Sequence, residues 1–231
     1  MPTPATHRVT QIKDAVRTPN RVNIFVDDTF FCSLDLSQVV DLGLKVGAEL
    51  NDTELSELKR ASDFGKLYSR ALEYVFLRPH STKEIRDYLQ RKTLDRKMRR
   101  KNQRTGTYET KIIKGYEKSL VPLVLARLEQ RGYLDDRKFA QFWLDNHHAK
   151  QGASTKKLRQ ELLKKGVSAA LIDELLAASA RNDADELQKI ITKKAHRYPD
   201  RQKFTQYLLR QGFNYSDVID ALSSVSFSAG E

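Results

Sequence analysis

Two patterns of apolar and polar positions divide this chain of 231 residues. Near the start, "RVNIFVDDTFFCSL" is rich in β-branched and aromatic residues and is broken by Asp27-Asp28. This predicts two short strands and a turn. "HRVTQIKDAV" upstream supplies a third strand, and "SQVVDLGLKVGAEL" a short helix that stops near Gly43 or Gly47. A small β-rich cap over about 7–50 follows. From about Asp52 the period becomes helical. Leu67, Ala71, Leu72 and Val75 share a stripe, as do Phe139, Phe142 and Trp143, and later Leu187, Ile190 and Ile191. The pattern predicts that the rest of the chain is all α, with no sheet beyond residue 60.

The helical part has an internal register. With the capping residues Ser81, Ser154 and Asp200 aligned, Ile85, Leu158 and Phe204 fall four positions on, and Leu89, Leu162 and Leu208 eight. Arg91, Lys164 and Arg210 fall ten on, and Thr93, Gly166 and Gly212 twelve. The second and third copies stay in step through Val167 and Phe213, Ile172 and Val218, Leu176 and Leu222. Any capped helix matches at the first columns. The shared glycine stop, the apolar residue after it and a second helix in register go further. An apolar helix precedes each pair, so the unit is three helices and three units give nine. The expected divisions are 1–51 for the cap, 52–132, 133–180 and 181–231.

The first copy is interrupted. Val124 and Leu128 take the columns of Ile172 and Leu176, which leaves about 25 extra residues at 94–118. From Arg91 to Arg104 there are eight basic residues and one acid, Asp95, or +7 of a net charge of +11. Arg96, Lys97, Arg99, Arg100, Lys101 and Arg104 make this either a solvated loop or a phosphate-contacting arm. One aromatic, Tyr108, is too little for a stacking platform.

Charge and composition favour polyanions or acidic protein surfaces as partners. One cysteine, Cys32, excludes an internal disulfide and fits a reducing cytoplasm. It reads as a buried small apolar residue. No apolar run is long enough to span a bilayer, and the start lacks a signal-peptide core. In "LEQRGYLDDRKFAQFW", Gly132 ends one helix with Tyr133 folding back, and Asp135 or Asp136 caps the next. His147-His148 read as surface residues. No phosphate loop, dinucleotide motif, metal-ligand pattern or catalytic triad is visible, so no catalytic residue, metal or cofactor is expected.

"RPHSTKEIRDYL", "LEQRGYLDDRKFA", "LRQELLKKGV" and "YLLRQGF", in this order, resemble the RecX family of regulatory proteins. The resemblance covers roughly 65–222 and, more loosely, the β-rich start. It implies tandem three-helix repeats in an elongated, curved molecule that is not an enzyme. It also implies binding to the RecA recombinase filament on DNA, in its helical groove, with ATP hydrolysis, strand exchange and filament growth suppressed. The basic insertion departs from the family pattern and is a candidate contact for single- or double-stranded DNA. Candidate contacts elsewhere are the basic column Arg91, Lys164 and Arg210 with Arg86, Lys157, Arg159, Lys165 and Lys203, although basic last turns also complement the helix dipole. A monomer is expected. The alternatives are an independent nucleic-acid-binding helical-repeat protein, or an enzyme such as a nuclease.

Overall fold

The computed structural model describes residues 6–16, 18–104, 106–147, 152–223 and 225; of the histidine pair, His148 and the His147 side chain lie outside this set. The fold is mainly α with a small N-terminal antiparallel sheet. The first strands are β1 (His7–Asp14), β2 (Arg21–Val26) and β3 (Thr29–Asp35). They are followed by helix α1 (Leu36–Asp41) and strand β4 (Glu49–Leu50), and the sheet order is β3-β2-β1-β4. Asp27 and Asp28 turn the β2–β3 hairpin at φ 48° and 61°. Short polar side chains tolerate this left-handed region best after glycine. The inward positions Val9, Ile24, Cys32 and Leu34 form the sheet's core. Burial pushes the Cys32 thiol up, so it is an inert packing group. Arg21 is also buried, and is paired with Asp35 at 3.2 Å and the Ser33 carbonyl at 2.8 Å.

The helices run α2 (Asp52–Val75), α3 (Thr82–Lys92) and α4 (Leu120–Gln130), then α5 (Asp136–His147), α6 (Thr155–Lys164) and α7 (Ala169–Ala178). Then come α8 (Asp183–Lys194), α9 (Arg201–Arg210) and α10 (Tyr215–Leu222), with a short 3-10 turn at Ala195–Arg197. Asn51 and Glu54 form a reciprocal capping box at the start of α2. Ser154 and Asp200 accept backbone N–H groups at the starts of α6 and α9. Ile85, Leu158 and Phe204 have no exposed surface, nor do Leu89, Leu162 and Leu208. Gly166 and Gly212 stop α6 and α9 at φ +84° and +90°.

The expectation of an all-α remainder is wrong. Between α3 and α4 the chain forms an antiparallel hairpin, β5 (Arg96–Lys101) and β6 (Tyr108–Ile113). Its tip closes through Asn102, whose backbone N–H donates to the Thr107 carbonyl and whose side chain accepts from Arg104 N. β5 is exposed at every residue and β6 at all but Ile113, so no alternation of apolar and polar residues announces these strands.

The chain divides into two compact units, Met1–Leu77 with Arg86–Arg131, and Arg78–Ile85 with Gly132–Glu231. In the second unit one junction occurs twice. Ser81 Oγ donates to the Lys165 carbonyl at 2.7 Å, and Thr82 N to the Asp136 carboxylate at 2.7 Å. In the equivalent places, Ser154 N donates to the Gln211 carbonyl at 3.0 Å and Thr155 N to Asp183 at 2.8 Å. Each pair satisfies an orphan helix-terminal group at both ends. In the first unit Lys92 is the register equivalent of Lys165 and Gln211. Its carbonyl accepts from Tyr116 N at 3.0 Å, on the segment returning from the hairpin. The insertion thus caps the C-terminus of α3.

Candidate functional site

The expected basic residues fall into several groups. In the first unit, Arg86 and Arg91 sit on exposed positions of α3 and line a cavity of about 770 Å³. Lys118 joins them at its rim, over an apolar floor of Leu94, Val121, Pro122 and Leu125. Arg96, Lys97, Arg99, Arg100 and Lys101 are exposed on β5, and Arg104 lies in the hairpin turn. The pairing register gives the hairpin two chemically different faces. Lys97, Arg99 and Lys101 oppose Ile112, Thr110 and Tyr108, with no carboxylate among them. Arg96, Met98 and Arg100 oppose Ile113, Lys111 and Glu109 on the other. Arg99 lies over the Tyr108 ring at 4.4 Å.

In the second unit Lys157, Lys164 and Arg210 line one recess of about 350 Å³. The other three candidates hold internal partners. Arg159 makes a two-pronged pair with Asp173 at 2.7 and 3.1 Å, which raises the guanidinium pKa and lowers that of the carboxyl. Lys165 reaches Glu84 at 2.7 Å, and Lys203 reaches Asp200 at 3.7 Å. Lys157 also donates to the Arg210 carbonyl and the Gln211 side chain. These bonds give Lys157, Arg159 and Lys165 structural work, so a charge at those positions is already partly answered.

Asp135 and Asp136 divide two tasks. Asp135 caps α5 by accepting from Lys138 N at 2.9 Å, while Asp136 serves Thr82. Among the described residues no group of three His, Cys, Asp or Glu side chains could hold a metal ion. No helix there is long and apolar enough to cross a membrane.

One further cluster was not anticipated. At the foot of the hairpin, Arg70 and Tyr74 from α2 meet Tyr88 and Lys92 from α3 and Tyr116 from the return segment. The spacing i, i+4 on each helix was the available signal, but nothing local joins the two helices.

Two family models match the chain: "Regulatory protein RecX N-terminal domain" over 7–51, and "RecX, second three-helix domain" over 135–176. Curated relatives extend the match to nearly the whole chain. The regulatory protein RecX of Bacillus licheniformis is 29% identical over 226 residues, covering 95% of this chain and 78% of its own. That of Bacillus subtilis is 26% identical, covering 96% and 79%. The chain is similar to RecX proteins over nearly its whole length. A crystal structure of a regulatory protein RecX superposes with a TM-score of 0.67 at 22% identity, covering 93% of this chain and 99% of that one, which establishes a RecX-like fold. The first helix triplet, α2 to α4 with the insertion, lies between the two matched ranges: one ends at residue 51 and the other begins at 135.

Proposed function

We propose that this protein binds the filament that a RecA-type recombinase forms on DNA and restrains it. ATP hydrolysis, strand exchange and filament growth all fall, and the protein itself hydrolyses nothing. Similarity to regulatory RecX proteins over nearly the whole chain supports the regulatory role. The observation that carries the mode of action is the junction made twice, at Ser81–Lys165 and Ser154–Gln211. Like junctions between successive helix triplets repeat a surface along the chain. A filament groove likewise repeats one protein surface, so several weak contacts add through their linkage. In this reading the modules are 52–132, 133–180 and 181–231 behind a cap at 1–51. Inhibition needs no chemistry: an occupied groove excludes partner DNA and hinders the subunit motions that accompany hydrolysis. Arg86, Arg91, Lys164 and Arg210 are the exposed cations offered for these contacts. The protein acts in the cytoplasm as a monomer without a cofactor.

The test is DNA-dependent ATP hydrolysis by a RecA-type recombinase with the purified protein added. A falling rate supports the proposal; an unchanged rate at saturating protein, at low and at moderate salt, contradicts it. A second reading, an independent nucleic-acid-binding protein, is favoured by the exposed cations of β5. Tight DNA binding without recombinase and with no effect on hydrolysis would select it.

A further inference from the structure

The basin at the foot of the hairpin carries a more specific assignment. It is a concavity of about 490 Å³ within the first unit, lined by five cations: Arg70, Arg91, Lys92, Arg96 and Lys114. No carboxylate is among its described lining residues. Asp95, beside it, pairs with Lys114 at 3.1 Å, so four cations are left on the lining without a carboxylate of its own. Like charges so placed repel, and the cost shows locally. Burial, and then Arg70, Arg96 and Arg91, hold the Lys92 ammonium below its ordinary pKa, with Glu73 opposing.

The cations are gathered by a tyrosine framework. The Tyr74 and Tyr88 rings stack with centroids 4.2 Å apart and 5° between their planes. Lys92 Nζ lies 4.8 Å from the centre of the Tyr88 ring, and the Arg70 guanidinium 6.0 Å from that of Tyr116. Tyr88 Oη donates to the Arg70 carbonyl at 3.3 Å, and Tyr116 N to the Lys92 carbonyl at 3.0 Å. Two helices and the hairpin's return segment are thereby locked around a site whose charge is in excess before any ligand arrives. A purely structural cluster would place carboxylates among these cations, since crowded like charge destabilises the fold. Preorganised, poorly neutralised guanidinium and ammonium groups fit phosphate oxygens.

We propose that this basin is a phosphate-backbone site for a strand of nucleic acid, with Arg70, Arg91 and Arg96 as its exposed contacts and the half-buried Lys92 behind them. The tyrosine faces are already covered by one another and by cations, so the site reads backbone charge and not base identity. From Arg96 a strand continues along β5. The inference rests on binding to a filament that carries DNA and adds a direct contact with the nucleic acid; its experiment omits the recombinase, so either can fail alone.

The experiment measures fluorescence anisotropy of labelled oligothymidine, and separately of a labelled duplex, over a salt series with the full chain. Arg91→Gln with Arg96→Gln should weaken binding by about tenfold and flatten the log–log salt slope by about 1.4 for the single strand, the share of two phosphate contacts. Lys45→Gln with Lys59→Gln removes the same charge elsewhere in the unit and should change affinity by less than about twofold. Lys92→Gln should weaken binding with the melting temperature retained. Equal losses in the Arg91/Arg96 and Lys45/Lys59 pairs would reduce the effect to net charge and overturn the site. So would an unaltered slope in the Arg91/Arg96 variant, or displacement of the oligonucleotide by polyglutamate at equal charge concentration, which would make the basin a protein-binding surface.

Discussion

Glu84 and Lys165 stand 81 residues apart in sequence and 2.7 Å apart in the fold. Glu84 also holds Arg78 at 3.1 Å and His80 at 3.2 Å through its other oxygen. Burial opposes ionisation of this carboxyl, but hydrogen bonds from Lys165 and Arg78 outweigh it and bring the pKa from 4.5 to about 2.

A depressed carboxyl pKa stabilises the fold above the unfolded-state value and is lost as pH falls through the folded one. Unfolding free energy should therefore drop between pH 5 and about 2 more steeply in the natural protein than in Glu84→Gln. The two should converge at the acid end. Urea melts at several pH values check this, and parallel curves would remove Glu84 from the acid response.

Gly166 lies at the same junction. Its φ of +84° is costly for any side chain, and an added Cβ would stand 2.6 Å from Lys83 Cβ. Gly132 has φ +71° but open space around it. Gly132→Ala should cost about 1 kcal/mol from the backbone alone, and Gly166→Ala about 1–2 kcal/mol more. Equal losses by denaturant melts would mean that Lys83 gives way freely.

The parts legible in the sequence are those fixed by near neighbours. Ser154 and Asp200 cap helices within three residues, and Leu89, Leu162 and Leu208 follow the helical period into the core. Cys32 lies inward because its strand alternates. The hairpin was illegible for the opposite reason. "RKMRRK" has no buried side, so pairing with "YETKII" leaves no period-two trace, and the tip bonds around Asn102 hold the register instead. The tyrosine-lined basin and the Ser81–Lys165 bond join residues that only the fold brings together. Charge alone makes Lys157, Arg159 and Lys165 candidate contacts, and only the fold shows that each already has a partner.

Leu162 tests the core of the second helix triplet. It is fully buried among Phe139, Leu158, Val167 and Ile172. Leu162→Ala should cost roughly 2–5 kcal/mol, from lost burial and the cavity left behind. Leu163, the next residue, is 39% exposed, and Leu163→Ala should cost under about 1 kcal/mol. A comparison of the two by denaturant unfolding checks the register, since similar losses would place the stripe one residue out.

The hairpin gives the last prediction. Arg96, Lys97, Arg99, Arg100 and Lys101 are all exposed, so their replacement by Ala together should leave the melting temperature nearly unchanged. The bond that ties the insertion to α3 runs between the backbones of Tyr116 and Lys92, and the bond that closes the insertion's foot runs from Gly115 N to Asp95; none of these residues is altered. Long insertions cost little in loop entropy, so the hairpin's presence is not itself a sign of use. Its use would appear in salt dependence. If all five side chains meet phosphates, the log–log slope of DNA binding should flatten by about 3.5 for a single strand and about 4.5 for a duplex; if Arg96 alone does, by less than about 1. Melting and binding measured in parallel on the five-fold variant therefore count the contacts. An unaltered affinity and slope would reduce the run to a solvated face. A collapse in stability would mean that these side chains hold the hairpin, and with it the cap on the end of α3.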